Sequence, residues 1–356
     1  MLTVRQATPQ DQQSWDNYIY QHPQATPYHL FAWGQSVLEA YHYQTSYFLA
    51  ETENNVVGVL PGIILSIPLR GKTICSLPYC DQAGILADNA NIADLLLKQV
   101  MAFAAEQGIK KVELRQSIAP ETVSTDQDPK GQSGEKVRMI LPLPSTSTEL
   151  LKNFKSKLRS QINKSIKNGL TATVMRADIN KSLIDNFYTV MTQNMRALGS
   201  PVHSKTWFES ITQYYQDNAI IAVVYLDKIA VGAGIVITTG NKASIPWAST
   251  LSDYNSLSPN MLLYWSLLEY CSDHGITEFD FGRSTIGEGT YQFKKQWGAL
   301  PRQLNWQEYQ QGQLKPESTD SNNPNTIRPI IEAVWKKTPL WVTNYFGPKF
   351  RKYISL

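Results

Sequence analysis

The chain has 356 residues, of which 42% are hydrophobic and 18% charged, and its formal net charge is +3. This composition is that of a globular protein and excludes disordered and collagen-like chains, and the length predicts two or three domains. The three cysteines and five histidines show no disulfide or metal-ligand spacing, so we expect reduced thiols and no metal site. Neither a signal peptide nor an apolar run of membrane-spanning length is found, which predicts a soluble, cytoplasmic protein.

Strand-like and helix-like periodicities alternate along the first half of the chain, which predicts an α/β (α+β) fold. The predicted strands are Leu2–Ala7, Tyr43–Glu51, Val56–Leu69, Lys72–Leu77, Lys111–Gln116 and Val137–Leu143. The predicted helices are Gln10–Tyr20, Phe31–Tyr41 and Ile92–Gln107. The polar segment 124–136 contains glycine and proline and predicts a surface loop.

The second half continues in the same way. Its predicted elements are helices at Glu149–Asn168, Ile179–Ala197 and Lys205–Asp217, strands at Leu170–Met175 and Gln303–Tyr309, and a loop at Lys315–Asn325. The tail 327–356 is helical at first and rich in aromatic and basic residues. It predicts a helix that docks back on the first domain, which we favour, or an interfacial membrane anchor.

The two halves repeat one layout. Leu95–Ser117 and Leu262–Ser284 each contain an apolar helix, a glycine that ends it and a short alternating strand. When they are superimposed, Glu113 matches Asp280, and a hairpin and a second apolar strand precede each segment in the same order. We therefore predict a tandem duplication. The predicted boundaries are 1–145 for the first domain, 146–310 for the second, and 311–356 for the C-terminal loop and tail.

Three segments of the second half resemble Fem-type peptidyltransferases (FemABX) and their GNAT-fold relatives, including FemAB-like proteins found beside exosortase and exopolysaccharide systems. They are LRSQINKSIKNGL, PWAST followed by SPNMLLYW, and GTYQFKKQWG. The resemblance extends from Trp33 to Tyr309 and implies two GNAT-like domains, with the active centre in the second. It also implies transfer of an activated acyl group to an amine, with aminoacyl-tRNA as donor and a cell-envelope precursor as acceptor.

The Phe-Lys pair of that family falls on Phe293 and Lys294, and the resemblance implies that Lys294 stabilises the charge that develops at the reacting carbonyl. Fem-type sequences usually carry a lysine shortly after an N-terminal tryptophan, but none follows Trp33 here. A muramyl-pentapeptide acceptor is therefore not implied. Trp33 and Asp81 stand as candidate substrate-binding residues of the first domain.

The residues themselves suggest further chemistry around Lys294. Forming an amide from an activated ester requires a donor or a cation for the oxyanion, and a lysine among aromatic residues can supply it. Asp280 alternates with two phenylalanines and either forms a structural ion pair with Arg283 or orients the attacking amine. Arg283 also suits a phosphate or carboxylate. The other candidate substrate-binding residues are Tyr291, Trp247, Ser249 and Asn260.

The segment between Thr250 and His274 has no glycine, so it lacks the glycine-rich phosphate loop of acyl-CoA-dependent GNAT enzymes. This absence counts against acyl-CoA as donor and favours aminoacyl-tRNA, although divergent loops exist. We expect no tightly bound cofactor, with one of these two donors as co-substrate.

The most basic stretch of the chain lies in the predicted helix Glu149–Asn168. The cations that form its basic side are Lys152, Lys155, Arg159, Lys164 and Lys167. They form either a solvated helix face or a surface for tRNA phosphates or a polyanionic acceptor.

Three functions are therefore open at this stage. The first is an aminoacyl-tRNA-dependent transferase acting on an envelope precursor, at the inner face of the membrane if the tail contacts lipid. The second is an acyl-CoA-dependent N- or O-acyltransferase acting on an exopolysaccharide intermediate. The third is a non-enzymatic binding protein, for which a charge in the cleft is dispensable.

Overall fold

The computed structural model describes residues 1–53, 55–117, 134–177, 181–315 and 328–355, which form two compact units. Unit 1 comprises the described residues of Met1–Gly131, Arg302–Asn323 and Tyr353–Leu356, and unit 2 those of Gln132–Pro301 and Pro324–Lys352. These bounds differ from the predicted 1–145, 146–310 and 311–356, because the strand at 136–142 pairs within unit 2 and most of the tail packs on a helix of unit 2. The loops predicted near 124–136 and 315–325 fall largely outside the described residues.

The first part of the chain contributes strands and helices to unit 1. The strands are β1 (Leu2–Gln6), β2 (Gln44–Thr45), β3 (Phe48–Thr52), β4 (Asn55–Leu60), β5 (Ile63–Ile67), β6 (Gly71–Cys75), β7 (Leu86–Ala87) and β8 (Lys111–Ser117). The helices are α1 (Gln12–Gln21), α2 (Phe31–Tyr41) and α3 (Ala90–Glu106).

The rest of the chain builds unit 2 and then returns to unit 1. Its strands are β9 (Lys136–Pro142), β10 (Leu170–Arg176), β11 (Ala219–Leu226), β12 (Ile229–Thr239), β13 (Lys242–Thr250), β14 (Glu278–Thr285), β15 (Leu300–Gln310) and β16 (Gln313–Leu314). Its helices are α4 (Ser147–Asn153), α5 (Ser156–Lys167), α6 (Lys181–Leu198), α7 (Lys205–Tyr215), α8 (Pro259–Asp273), α9 (Gly289–Gln296), α10 (Arg328–Lys337) and α11 (Leu340–Arg351).

Unit 1 contains an antiparallel sheet in the order β1-β3-β4-β7 and a second group of strands in the order β15-β8-β6-β5-β2. Only β6 and β8 run parallel in this second group. The apolar stripe of α3 recurs every three or four residues and packs over β3 and β4, where Leu96 is fully buried. Burying such a leucine contributes about 1.5–3 kcal/mol.

The single strand predicted at Val56–Leu69 is in fact two strands, β4 and β5, which belong to different sheets. Pro61 cannot donate a ladder hydrogen bond, and Gly62 lies against Ser46, whose hydroxyl would be 2.6 Å from a Cβ at this position. The chain therefore changes sheets where the sequence has its Pro-Gly pair.

Unit 2 contains strands in the order β10-β11-β12-β13-β14-β9, and among these only β13 and β14 run parallel to each other. Helix α8 packs on β10 to β13 and is buried along most of its length. Helix α6 contacts β11, β12 and β13, and Ser249 of β13 faces it through Asn194. Alternate residues of β13 thus face two different helical layers.

The helix predicted at Glu149–Asn168 is broken into α4 and α5 around Phe154 and Lys155, whose ψ angles are 146°. No glycine or proline marks the break. Phe154 is buried and meets Trp265 and Trp297 edge-on, at ring-centroid distances of 6.1 and 5.5 Å. This aromatic contact, which is remote in sequence, outweighs the local helix propensity.

The tail divides between the two units, and so differs from the predicted docking of the whole tail on the first domain. Helices α10 and α11 contact α6 of unit 2, and Arg196 of α6 donates from Nε to the Thr338 carbonyl at 2.7 Å. In unit 1, the Tyr79 amide donates to the Ser355 carbonyl at 2.7 Å. Among the described residues, no helix is long and apolar enough to cross a bilayer.

Asp16 of α1 provides a cap for another helix. The N-cap residue of α2 is Leu30, whose side chain cannot cap, and the Phe31 amide instead donates to Asp16 Oδ1 at 2.8 Å. Burial raises the pKa of the Asp16 carboxyl to about 6, despite this hydrogen bond and one with Gln12. The folded protein therefore holds the Asp16 proton more tightly than the unfolded chain does.

We predict that Asp16→Asn keeps the acceptor but removes this titration. In the native protein, the stability contributed by the Asp16 proton is present below pH ~4 and is lost as the pH rises to ~6. Thermal unfolding from pH 4 to 8 should show the variant gaining about 1–2 kcal/mol relative to the native chain across this window. Asp94→Asn, at an exposed site on α3, is the control. Identical pH profiles for native and Asp16→Asn proteins would contradict the assignment.

Candidate active site

The parallel strands β13 and β14 diverge soon after they pair. They pair over Lys242–Ser244 and Glu278–Asp280, and beyond this point β14 continues beside β9 and β13 beside β12. The Leu251 amide donates to the Val231 carbonyl at 2.9 Å, so the backbone of Ser249 faces β12 and that of Thr250 faces the other way. A wedge therefore opens between the carboxyl ends of β13 and β14.

Asp280 lies where the two strands separate, and both of its oxygens are engaged. Oδ2 accepts from Arg138 Nη2 at 2.7 Å and from Nε at 3.0 Å, and Oδ1 accepts from the Gly282 amide at 2.8 Å. Asp280 is 2% exposed and Arg138 7%. The partner of Asp280 is thus Arg138 of β9, and the alternative of an ion pair with Arg283 was wrong. Arg138 could have been suspected, because an arginine inside the apolar strand VRMIL needs a buried partner.

Lys294 of α9 contacts β14 just after Asp280, through backbone carbonyl groups of that strand. Its Nζ donates to the carbonyl oxygens of Gly282 at 3.0 Å and Arg283 at 2.8 Å, and the residue is only 8% exposed. The β14–β9 register shifts between Asp280 and Arg283, and Gly282 has φ +75°, a conformation that favours glycine. Asp280 and Lys294 together hold this bulge at the carboxyl end of β14.

The aromatic candidates around Lys294 anchor α9. Phe293 is half-buried and packs edge-on against Tyr264, with ring centroids 5.1 Å apart, and it also contacts Trp297. Tyr291 is buried. The rings of Phe293 and Tyr291 thus contribute to the core that positions α9.

Three further candidates lie on β13 and α8. Trp247 is buried and meets Trp207 and Phe208 of α7 edge-on, so it belongs to the core. The Ser249 hydroxyl accepts from Asn194 Nδ2 at 3.0 Å and is buried against α6. Asn260 is half-buried in the first turn of α8.

The remaining two candidates belong to unit 1. Trp33 is fully buried, and its Nε1 donates to the Pro78 carbonyl at 3.0 Å, so it is not available to a substrate. Asp81 is half-buried, and its carbonyl accepts from Trp306 Nε1 at 2.9 Å. Asp280, Arg283 and Lys294 form the polar cluster of unit 2, whereas Trp33 and Asp81 contribute to the structure of unit 1.

The basic stretch contains one structural cation and several exposed ones. Arg159 donates from Nη1 to the carbonyls of Lys152 and Phe154 at 3.0 and 3.1 Å, and so caps the broken end of α4. The exposed cations are Lys152, Lys155, Lys157, Lys164 and Lys167. Along α5, an open groove of about 450 Å³ is lined by Ser156, Arg159, Ser160, Asn163, Lys164 and Lys167.

Unit 1 also contains a parallel pair of strands that diverges, but a buried arginine side chain fills the space beyond the paired residues. Strands β6 and β8 pair in parallel over Thr73–Cys75 and Lys111–Glu113. Arg115 follows with no exposed surface, and it donates from Nη1 to the Cys80 and Ser355 carbonyls at 2.6 and 3.2 Å. Its guanidinium is paired with Glu113 at 2.8 Å. The matched acidic residues Glu113 and Asp280 therefore occupy equivalent positions, but an arginine closes the wedge of unit 1.

In the ranges that the structure describes, no group of three or more His, Cys, Asp or Glu side chains is placed to hold a metal ion. The polar cluster of unit 2 offers cations and backbone carbonyls, which suit an anionic or amide-bearing substrate better than a divalent metal.

Comparisons with known proteins agree with this architecture. Residues 152–295 match the family model described as an acetyltransferase (GNAT) domain. No curated protein sequence matches the chain. The solved structure of FemX is similar with a TM-score of 0.69 at 15% identity, over 86% of this chain and 97% of FemX.

Two other structures are similar at lower scores. The C-terminal domain of a putative lysylphosphatidylglycerol synthetase from Agrobacterium fabrum has a TM-score of 0.53 at 14% identity, over 83% of this chain and 91% of that domain. A tandem GNAT protein from the clavulanic acid biosynthesis pathway has a TM-score of 0.54 at 12% identity, over 89% and 100% of the two chains. The predicted fold of tandem GNAT-like domains, similar to that of FemX, is thus confirmed, and residues 152–295 of unit 2 match a GNAT acyltransferase domain.

We predict that Arg138→Met strongly destabilises the protein, because it leaves the Asp280 carboxylate buried without its partner. The expected loss is about 3–5 kcal/mol in the free energy of unfolding, measured with urea. The double variant Arg138→Met/Asp280→Leu should recover part of this loss. The control, Arg5→Met, breaks a pair whose arginine side chain is 41% exposed, and should cost less than about 1 kcal/mol. Equal losses for Arg138→Met and Arg5→Met would contradict the role of this pair.

Proposed function

We propose that unit 2 transfers an aminoacyl group from aminoacyl-tRNA to an amine of a cell-envelope precursor. The observation that carries the proposal is the position of the Lys294 ammonium, held by two backbone carbonyls at the carboxyl end of β14. The Phe293-Lys294 pair is also the one that the Fem resemblance aligns with the reacting carbonyl.

In the proposed reaction, the acceptor amine attacks the ester carbonyl as a free base. A carbon–nitrogen bond forms, the carbon–oxygen bond to the terminal ribose breaks, and the amine proton leaves with the ribose hydroxyl. The tetrahedral intermediate carries a negative oxygen, which the Lys294 ammonium stabilises. Because the Gly282 and Arg283 carbonyls already fix this ammonium, little reorganisation is needed when the charge develops.

Asp280 acts in this scheme as a positioning residue. Its two oxygens are occupied by Arg138 and the Gly282 amide, so it does not take the amine proton. It holds the bulge whose carbonyls bind Lys294. Arg283, half-buried beside the bulge, is proposed to meet a phosphate or carboxylate of a substrate.

The exposed lysines of α4 and α5 support tRNA as the donor. Five exposed lysines lie along this stretch, and a polar groove follows α5. Phosphate contacts of this kind add affinity without base specificity and weaken as salt rises. The similarity to FemX and to the putative lysylphosphatidylglycerol synthetase from Agrobacterium fabrum is in keeping with aminoacyl transfer.

Acyl-CoA is the second candidate donor, and the wedge between β13 and β14 favours it. Beyond Ser244, no described strand pairs with the β14 side of β13, so backbone groups there remain available to an extended, amide-bearing arm. The matched family model is described as an acetyltransferase. Titration with acetyl-CoA, and then with charged and uncharged tRNA at low and moderate salt, separates the two donors. Micromolar, salt-insensitive binding of acetyl-CoA without tRNA binding would replace the first proposal by the second.

We predict that Lys294→Met lowers turnover by about 10²-fold or more, because it removes the cation at the oxyanion. Single-turnover transfer of a labelled aminoacyl group would measure this. The variant also loses two hydrogen bonds, so rates are compared at a temperature where circular dichroism shows both proteins folded. Lys295→Met, at an exposed neighbouring position, is the matched control and should retain the native rate. Native turnover in Lys294→Met would contradict the catalytic role of Lys294, whereas absence of transfer by the native protein would favour a binding protein that keeps the fold.

We predict that Lys164→Gln/Lys167→Gln weakens tRNA binding and flattens its salt dependence. Two lost phosphate contacts should reduce the slope of log affinity against log salt by roughly 1.5. Filter binding at several salt concentrations would measure the slope. Lys98→Gln/Lys110→Gln, which removes two exposed lysines of unit 1, should leave it unchanged. An equal effect of both double variants would indicate nonspecific attraction instead of a binding face on α5.

A further inference from the structure

The two tail helices of unit 2 expose large apolar side chains on the outside of the protein. Trp341 is 73% exposed and Ile330 64%, values far above those of the buried core. The outer residues of α10 are Ile330, Ile331 and Val334, and those of α11 are Trp341, Tyr345, Phe346 and Phe350. We call these seven residues the tail face. Seven exposed large apolar residues on two consecutive helices exceed the single scattered ones that are normal on a protein surface, and such a group marks an interaction site.

The inner side of α11 has the opposite character. Thr343 and Gly347 are its buried residues, four positions apart, and Gly347 approaches Val202 closely enough for a Cβ to lie 3.2 Å from the Val202 amide nitrogen. Helix α11 thus turns small residues to the protein and aromatic residues outward. This inverts the usual amphipathic arrangement, in which the large apolar residues face the core. The fold of unit 2 therefore leaves the aromatic side for another partner.

The tail face is accompanied by a concentration of positive charge. Residues 328–352 contain six basic residues and one acidic residue, a net charge of +5, whereas the whole chain carries +3. The remainder of the protein is therefore net negative. Lys336 and Lys337 end α10, and Lys349 lies 3.7 Å from the centroid of the Tyr345 ring. Lys349 and the aromatic rings are thus presented on the same side of α11.

We propose that the tail face binds the surface of a lipid bilayer that contains anionic headgroups, with α10 and α11 lying along the interface. Tryptophan and tyrosine favour the headgroup region, where their rings are half apolar and half polar. Isoleucine, valine and phenylalanine insert below it, and the lysines meet the anionic headgroups. A protein partner is less favoured, since charged residues are depleted at the centres of protein interfaces. This inference does not depend on the donor or acceptor proposed for unit 2.

Vesicle flotation with the full-length chain tests the proposal, with vesicles of phosphatidylcholine alone and of phosphatidylcholine with phosphatidylglycerol. The native protein should float with the anionic vesicles, and high salt should weaken this binding. Lys336→Gln/Lys337→Gln should lower the partition coefficient on anionic vesicles roughly tenfold or more. Trp341→Ala/Tyr345→Ala should lower it by a similar factor, roughly tenfold, at every salt concentration. Tyr20→Ala, which removes an exposed ring from unit 1, is the matched control and should bind normally.

Several outcomes would overturn the proposal. They are absence of native protein from the floating fraction, equal binding to neutral vesicles, and equal losses for the tail variants and Tyr20→Ala. A second copy of the chain as occupant would appear in analytical ultracentrifugation as a dimer that Trp341→Ala/Tyr345→Ala dissociates, without vesicle binding. Because the altered side chains are exposed, all variants should unfold at nearly the native temperature, which thermal melts verify. Failure of aminoacyl transfer in the preceding experiments would leave this result unaffected, since vesicle binding is measured without a substrate.

Discussion

The geometry of the candidate site depends on one buried ion pair, that of Asp280 with Arg138. The pair lies where β13 and β14 separate. Beyond this point the backbone amide and carbonyl groups of β14 that faced β13 no longer form hydrogen bonds with that strand. Asp280 accepts a hydrogen bond from the Gly282 amide, and Lys294 donates hydrogen bonds to the Gly282 and Arg283 carbonyls. Two charged side chains therefore replace the missing strand contacts. The same contacts fix the ammonium that is proposed to act in catalysis, so the stability of the bulge and the precision of the site have a common origin.

The duplicated frame shows how two copies of one arrangement can diverge. In both units, a parallel pair of strands ends at an acidic residue that binds a buried arginine. In unit 1, that arginine is Arg115, which fills the space beyond the pair and binds the backbone of two other segments. In unit 2, the arginine comes from β9 and leaves the space between β13 and β14 open. The position of a single guanidinium thus distinguishes a structural unit from one with a candidate site.

Sequence periodicity predicted most of the elements and the duplication, because each apolar stripe and each helix-ending glycine is a local signal. It failed at Phe154, where contacts with Trp265 and Trp297 break a helix that has no local breaker. It also failed for the partner of Asp280, since Arg138 lies on a strand that is remote in sequence. Lys294 was found through a family resemblance. Its two carbonyl partners face its ammonium because of the bulge at Gly282, which the sequence does not reveal. Trp33 and Trp247 suited a binding site by residue type, but both are buried in the core.

The return of the chain end to unit 1 has a consequence for how the protein is made. Strand β15, which neighbours β8, and Ser355, which binds Tyr79 and Arg115, both follow the strands of unit 2 in the sequence. Unit 1 begins first but cannot complete its hydrogen bonding until translation has passed through all of unit 2. Unit 2, whose sheet is built entirely from residues between β9 and β14, is able to fold while synthesis continues. The order of folding is therefore expected to run opposite to the order of the units along the chain.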